Sequence, residues 1–214
     1  ITDKFKFNLP ITHCHARPEI SEIESVKDQI NLAKKTNFRG RLHIAHISSP
    51  KAVELVNEAK LNSLDISCGI CPHHFIYDWS LMYNFMTTYY GLLFKMNPPL
   101  RSPESREQIF KYLREGKIDW IETDHAPHTL NEKINEPFMS GIPGLPWWNL
   151  FEEYLRKNDF SDKQIEDLTF NNAMNRFQIN ITRKKRKLKD HSKDYPFNPY
   201  KQIEEQLVKL KQQL

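Results

Sequence analysis

An aspartate and two histidines stand together in Thr123-Asp124-His125-Ala126-Pro127-His128, directly after the apolar run Ile118-Asp119-Trp120-Ile121. Carboxylates and imidazoles delivered at the ends of strands are the groups from which hydrolytic metal sites are built. Three earlier apolar segments end in the same way, at His13, at His46 and at His73-His74. Any one of these histidines alone reads first as a structural or surface residue, and their recurrence is the signal. Neutral imidazole and carboxylate hold zinc or a similar divalent ion while leaving water bound. Such an ion brings the pKa of its water to about 7. An aspartate beside that water can take its proton and hand it to a leaving amide nitrogen. The chemistry suits hydrolysis of amides and cyclic amides.

The elements that must position these groups follow from periodicity. Residues 10–15, 41–47, 64–71 and 118–121 read as strands. Apolar residues at Ile20, Ile23, Val26, Ile30 and Ala33 give helical spacing over residues 19–36. Ser49-Pro50 and Ser102-Pro103 are N-caps with proline at the first helical position, opening helices over 51–60 and 104–115. Further helices are expected over 146–157, 162–168 and 171–177, and an aromatic loop over 75–94. The β-α-β-α-β-α-β-α order predicts an α/β fold with parallel strands and crossover helices. Four strands are half of a closed eight-stranded barrel, in which residues at the carboxyl ends share one mouth. His43 is expected on the side of its strand opposite His46. Residues 1–180 form the expected barrel segment. Residues 181–214 form a polar tail, with Tyr195–Tyr200 packed on the barrel and a short helix over 202–214.

The chain has 214 residues, 27% of them charged, and a mean hydropathy of -0.67. No apolar run reaches the roughly 18–20 residues needed to cross a bilayer, and there is no signal-peptide pattern. A cytoplasmic protein without a membrane partner is expected. The first residue is Ile rather than Met, which predicts a fragment or a processed product. Three cysteines are too few for a disulfide framework. Cys68-Gly69-Ile70-Cys71 has the spacing of a redox or zinc pair but neither a second such pair nor a thioredoxin context, and the two residues read as small, half-buried strand positions. The net charge of +4 is concentrated in residues 183–189, six of which are basic. That run reads as a solvated linker rather than a nucleic-acid surface. Trp147-Trp148 and Tyr83, Phe85, Tyr89 and Tyr90 read as packing residues.

Six stretches together resemble the C-terminal half of a dihydroorotase of the amidohydrolase superfamily. They are Thr12-His13-Cys14, His43-Ile44-Ala45-His46-Ile47-Ser48-Ser49, Cys71-Pro72-His73-His74, Lys95-Met96-Asn97-Pro98-Pro99-Leu100-Arg101, Thr123–His128 and Ser140-Gly141-Ile142-Pro143-Gly144. They occur in the family's order over roughly residues 10–180. The resemblance implies a partial (β/α)8 TIM-type barrel, roughly strands five to eight, with one or two Zn2+ ions. His13 would be the strand-five ligand, His46 the strand-six ligand, and Asp124 the strand-eight ligand and general acid/base. Asn97 and His128 would bind substrate, with the backbone near Gly141. The implied reaction is the reversible interconversion of N-carbamoyl-L-aspartate and dihydroorotate in pyrimidine synthesis. The family's first strand carries a paired His-x-His, and His13-Cys14-His15 has that form too. The following Ala16-Arg17-Pro18-Glu19 favours strand five. His73-His74 would shape the pocket, and His125 would stand behind the ligands.

The family's strand-one histidines, its substrate-gripping arginine and its strand-four bridging ligand have no counterpart in the sequence. A longer gene product, a partner supplying the other half, or a homodimer would complete the site. The alternatives are a non-catalytic assembly subunit, for instance with aspartate transcarbamoylase, and a hydantoinase or allantoinase relative.

Overall fold

The computed structural model describes residues 10–84, 89–182 and 191–212. The basic run at 183–189 lies outside the described residues, as does Phe85. Three parallel strands, β1 (Leu42–Ile44), β2 (Ile66–Ile70) and β3 (Trp120–Ile121), form a sheet in the order β1-β2-β3. Leu42 pairs with Ile66 and Gly69 with Trp120. The ladder runs on beyond the strand ends through Ile47 N–H to Gly69 O at 2.8 Å and Glu122 N–H to Ile70 O at 2.9 Å. β2 is buried along its whole length. It is the axis on which the site is built.

The crossover helices are α2 (Glu19–Lys35), α3 (Pro50–Leu61) and α6 (Pro103–Arg114). Both expected caps are present. Ser49 Oγ accepts from Ala52 N–H at 3.3 Å, and Ser102 Oγ accepts from Ser105 N–H at 3.1 Å. Val53 and Val56 of α3 and Ile109 and Leu113 of α6 join Ile66, Cys68, Ile70 and Ile121 in one core. Full burial of each such aliphatic side chain contributes about 1.5–3 kcal/mol.

The segment expected as the first strand is instead a helix, α1 (Pro10–His15). Ile11 and Thr12 favour strands, but β propensity counts only where a neighbouring strand accepts the ladder. Here Pro10 opens the first turn and Ala16 N–H closes on Thr12 O at 2.9 Å. Ile11 and Cys14, three apart, both turn into the core. Three strands are therefore found among the described residues where four were expected. The expected aromatic loop contains α4 (Pro72–Ile76), α5 (Ser80–Asn84) and a 3-10 turn at Tyr89–Phe94.

After β3 come α7 (Leu130–Ile134), α8 (Trp148–Lys157), α9 (Asp162–Glu166) and α10 (Asn172–Phe177), and the described chain closes with α11 (Lys201–Gln212). The aromatic patch before α11 packs on the sheet layer. Tyr200 is fully buried, with ring centroids 4.7 Å from Phe151 and 6.0 Å from Tyr77. Tyr77 Oη donates to Pro199 O at 2.9 Å.

Candidate active site

His46, Cys71 and Asp124 lie just past the ends of β1, β2 and β3. His46 and Asp124 share an unusual backbone, each with φ of 41°. A left-handed turn at a non-glycine residue breaks the ladder and re-aims the side chain. Glu122 ties the two ends together. Its carboxylate accepts the backbone N–H of His46, and it lies near His43 Nε2 and Trp120 Nε1, each at 3.3 Å. It crosses β2 over Gly69, where an added Cβ would sit 2.6 Å from Glu122 Oε2. Burial pushes the Glu122 carboxyl up, but these donors outweigh it and hold its pKa below the usual value. His43, stacked on Trp120 at 4.3 Å, thus belongs to this support and not to the His46 site.

The loop after β1 is anchored by a buried ion pair. Arg101 donates to Glu22 Oε2 at 2.9 Å, to Ser48 Oγ at 2.8 Å and to Arg17 O at 2.7 Å. Glu22 Oε1 accepts from Ser48 and Ser49 N–H, both at 2.8 Å. Every polar group of this pair has a partner, which is the condition under which a buried ion pair is tolerated. The Asn-Pro-Pro-Leu-Arg stretch therefore uses its arginine as an anchor. A cleft of about 370 Å³ opens beside it, with His46, Asn97 and Arg17 in its wall.

His13 was expected to be a third ligand projecting from a strand. It sits on α1, with both ring nitrogens engaged. Arg17 can only donate, so His13 Nδ1 accepts from it at 3.0 Å, and Nε2–H donates to Met96 O at 2.7 Å. Burial, opposed in part by that bond and aided by Arg17, lowers its pKa to about 4. It is a neutral histidine spent on holding the segment that carries Asn97.

His125 is also committed. Its Nδ1 accepts from Gly144 and Leu145 N–H at 3.2 Å each, leaving Nε2–H for Tyr195 Oη at 3.1 Å. It fastens the loop to the aromatic patch. His128 Nε2 donates to Ser140 O at 3.1 Å. Gly141 lies against it, with φ of 135°, and a Cβ there would stand 2.7 Å from Ala126 Cβ and 3.2 Å from His128 Nε2. Only glycine permits that approach. Both backbone groups of Gly141 are used internally, N–H to Lys95 O and O to Lys133 Nζ, each at 2.8 Å. His46 and Asn97 thus share one cleft, while His128 lines another with Tyr195.

Asp124 is half-buried, and among the described residues its carboxylate takes part in no hydrogen bond or ion pair. It faces the end of β2 closely enough to contribute, after burial and Glu122, to a thiol pKa at Cys71 well above normal. His46 Nδ1 is buried without a hydrogen-bond partner. An imidazole nitrogen and a carboxylate, both free of protein partners at strand ends that flank β2, are groups of the kind that hold a divalent cation such as zinc. Lys133 is a feature the sequence reading passed over. It is fully buried, and its amine pKa is lowered to about 7 by burial and then by Lys95. Its position in the last turn of a short capping-box helix, between Thr123–His128 and Ser140–Gly144, gave no sequence signal.

No family model matches the chain. It is similar to a dihydroorotase of Methanosphaera stadtmanae, 37% identical over 177 residues, which covers 80% of this chain and 38% of that protein. It is also similar to an allantoinase of Salmonella paratyphi B, 32% identical over 168 residues, covering 77% of this chain and 36% of the relative. A solved dihydropyrimidinase from Brevibacillus agri superposes with a TM-score of 0.66 at 25% identity, over 75% of this chain and 36% of that one. The chain spans little more than a third of the length of the curated relatives it matches.

Proposed function

We propose that this chain, a sequence relative of the dihydroorotases, supplies the acid/base and part of the metal-holding wall of a cyclic-amide hydrolase. Its proposed reaction is the interconversion of N-carbamoyl-L-aspartate and dihydroorotate. The observation that carries this reading is the backbone turn shared by two strand ends. His46 and Asp124 are turned by the same left-handed kink on either side of β2. Zinc bound there, as one or two ions, would supply a polarised water. His46 and Asp124 would hold it. Asp124 would take the proton of that water and deliver it to the leaving amide nitrogen. Asn97 would donate to the anionic substrate from the wall of the cleft it shares with His46, and His128, which lines a second cleft, would join it on releasing Ser140 O. His13 enters as a support for Asn97. The remaining ligands would come from a complementary N-terminal half-barrel.

The test is metal analysis of the purified chain by plasma mass spectrometry, followed by dihydroorotate hydrolysis with and without the N-terminal half of a dihydroorotase. A zinc content that is lower in Asp124→Asn than in the wild type, with turnover on complementation, is expected. Absence of both zinc and turnover would sink the reading. The engagement of His13 favours one alternative, a non-catalytic assembly subunit. That alternative expects a stable complex by light scattering and no turnover on complementation.

A further inference from the structure

Three polar atoms just past the end of β2 have no hydrogen-bond partner despite being buried: both ring nitrogens of His73 and Nδ1 of His74. His73 is 1% exposed and His74 4%. Buried polar atoms are almost always satisfied, and each that is not costs about 1–3 kcal/mol. A cluster of such atoms around one point asks for something to fill it. Cys71 completes the cluster as a free, fully buried thiol.

We propose that Cys71, His73 and His74 form a thiolate–imidazole site for a zinc-like cation, distinct from the His46–Asp124 pair. Their donor atoms all lie within 4.8 Å of one another. Tetrahedral zinc with Zn–S of about 2.3 Å and Zn–N of about 2.0–2.1 Å needs ligand atoms about 3.3–3.6 Å apart. Side-chain shifts of about an ångström bring all three to that spacing. The tautomer of His74 is already set. Its Nε2 lies 2.9 Å from Pro98 O, which only accepts, so Nε2 carries the hydrogen and Nδ1 the lone pair. That is the arrangement by which a carbonyl orients a metal-binding histidine. Successive residues of a helix ordinarily diverge. The rings of His73 and His74 nevertheless meet edge to face, with centroids 4.3 Å apart. One sulfur and two imidazoles select zinc, or cobalt in its place, over magnesium or calcium. The fourth position falls to a water.

Zinc-edge X-ray absorption on the unmodified, zinc-loaded chain reads the site without any variant. A sulfur at about 2.3 Å from the metal is expected, and a shell of nitrogen and oxygen alone overturns the proposal. Loading with Co2+ gives a second reading through the sulfur-to-cobalt charge-transfer band. Cys71→Ser should abolish this band, while Cys68→Ser and Asp124→Asn keep it. A band that survives Cys71→Ser, or no band in the wild type, means that ordered water fills the cluster or that another thiol binds, and overturns the proposal. Neither measurement depends on turnover, so a failure of the hydrolase reading leaves this result standing.

Discussion

A rise in stability is expected between pH 7 and pH 9, and replacing Lys133 with methionine should flatten it. The amine is fully buried and donates to Lys95 O and Gly141 O, each at 2.8 Å. Burial, with the Lys95 charge as the smaller cause, lowers its pKa from 10.5 to about 7. Between those values the folded chain holds fewer protons on this group than the unfolded chain, so stability increases with pH. At about 1.4 kcal/mol per pH unit the whole gap corresponds to roughly 5 kcal/mol, a cost fully present below pH 7. From pH 7 to pH 9 the part recovered is about 2 kcal/mol. Above pH 9 the window closes, because Cys14 and Cys68, pushed up to about 12 by burial, act in the opposite sense. The assay is urea unfolding at pH 7, 8 and 9 with a common m-value. Methionine leaves Gly141 O without its donor, at about 1–3 kcal/mol, while Lys95 O keeps the Gly141 N–H, so the slope and not the absolute stability is the readout. A flat wild-type profile, or an equal rise in Lys133→Met, refutes the reasoning.

Gly69→Ala should destabilise the fold by about 1–3 kcal/mol, because its Cβ would meet Glu122 Oε2 at 2.6 Å; urea unfolding that is unchanged would contradict the placement of Glu122. Glu122→Gln should weaken zinc retention by the chain, since it trades the charged acceptor of the His46 N–H for a neutral one; equal zinc content in dialysed wild type and variant counts against this. His13→Asn should make the acid limb of stability shallower. His13 is lowered from 6.5 to about 4, so its share is lost as pH falls through that interval, by roughly 3 kcal/mol in all. His73 and His74 act in the same direction and keep part of the limb in the variant. A limb of unchanged steepness would mean that His13 is not held neutral.

The helices that flank the sheet were legible because their signals are local. Ser49-Pro50 and Ser102-Pro103 state their own caps, and periodic apolar residues state the buried face. Residues 10–15 were misread because Ile11 and Thr12 speak for a strand while the deciding facts are remote. Those facts are the absence of a strand partner and the bond from His13 to Met96, 83 residues away. The spacing of His13 and Arg17, one helical turn apart, was the available clue. Cys68 and Cys71 were read as half-buried strand positions rather than a pair; both are fully buried, Cys68 in β2 near Lys117 O and Cys71 past the strand end with His73 and His74. Spacing along a chain pairs what the end of a strand separates.

Strain at the site has a definite support. Two non-glycine residues held at φ of 41° cost about 1–3 kcal/mol each unless the surroundings over-determine them. For His46 the surroundings are Glu122 on one side, gripping its N–H, and on the other the Arg101–Glu22 pair, gripping Ser48 and Ser49. Glu122 comes from β3, two residues before Asp124, so the two kinked ends share one carboxylate as a brace. The brace can cross the central strand only where no side chain stands, and Gly69 provides that gap. The position of His46 is therefore set by β3 and α2 as much as by its own strand. A change at Gly69 or Glu122 should move His46 and Asp124 together.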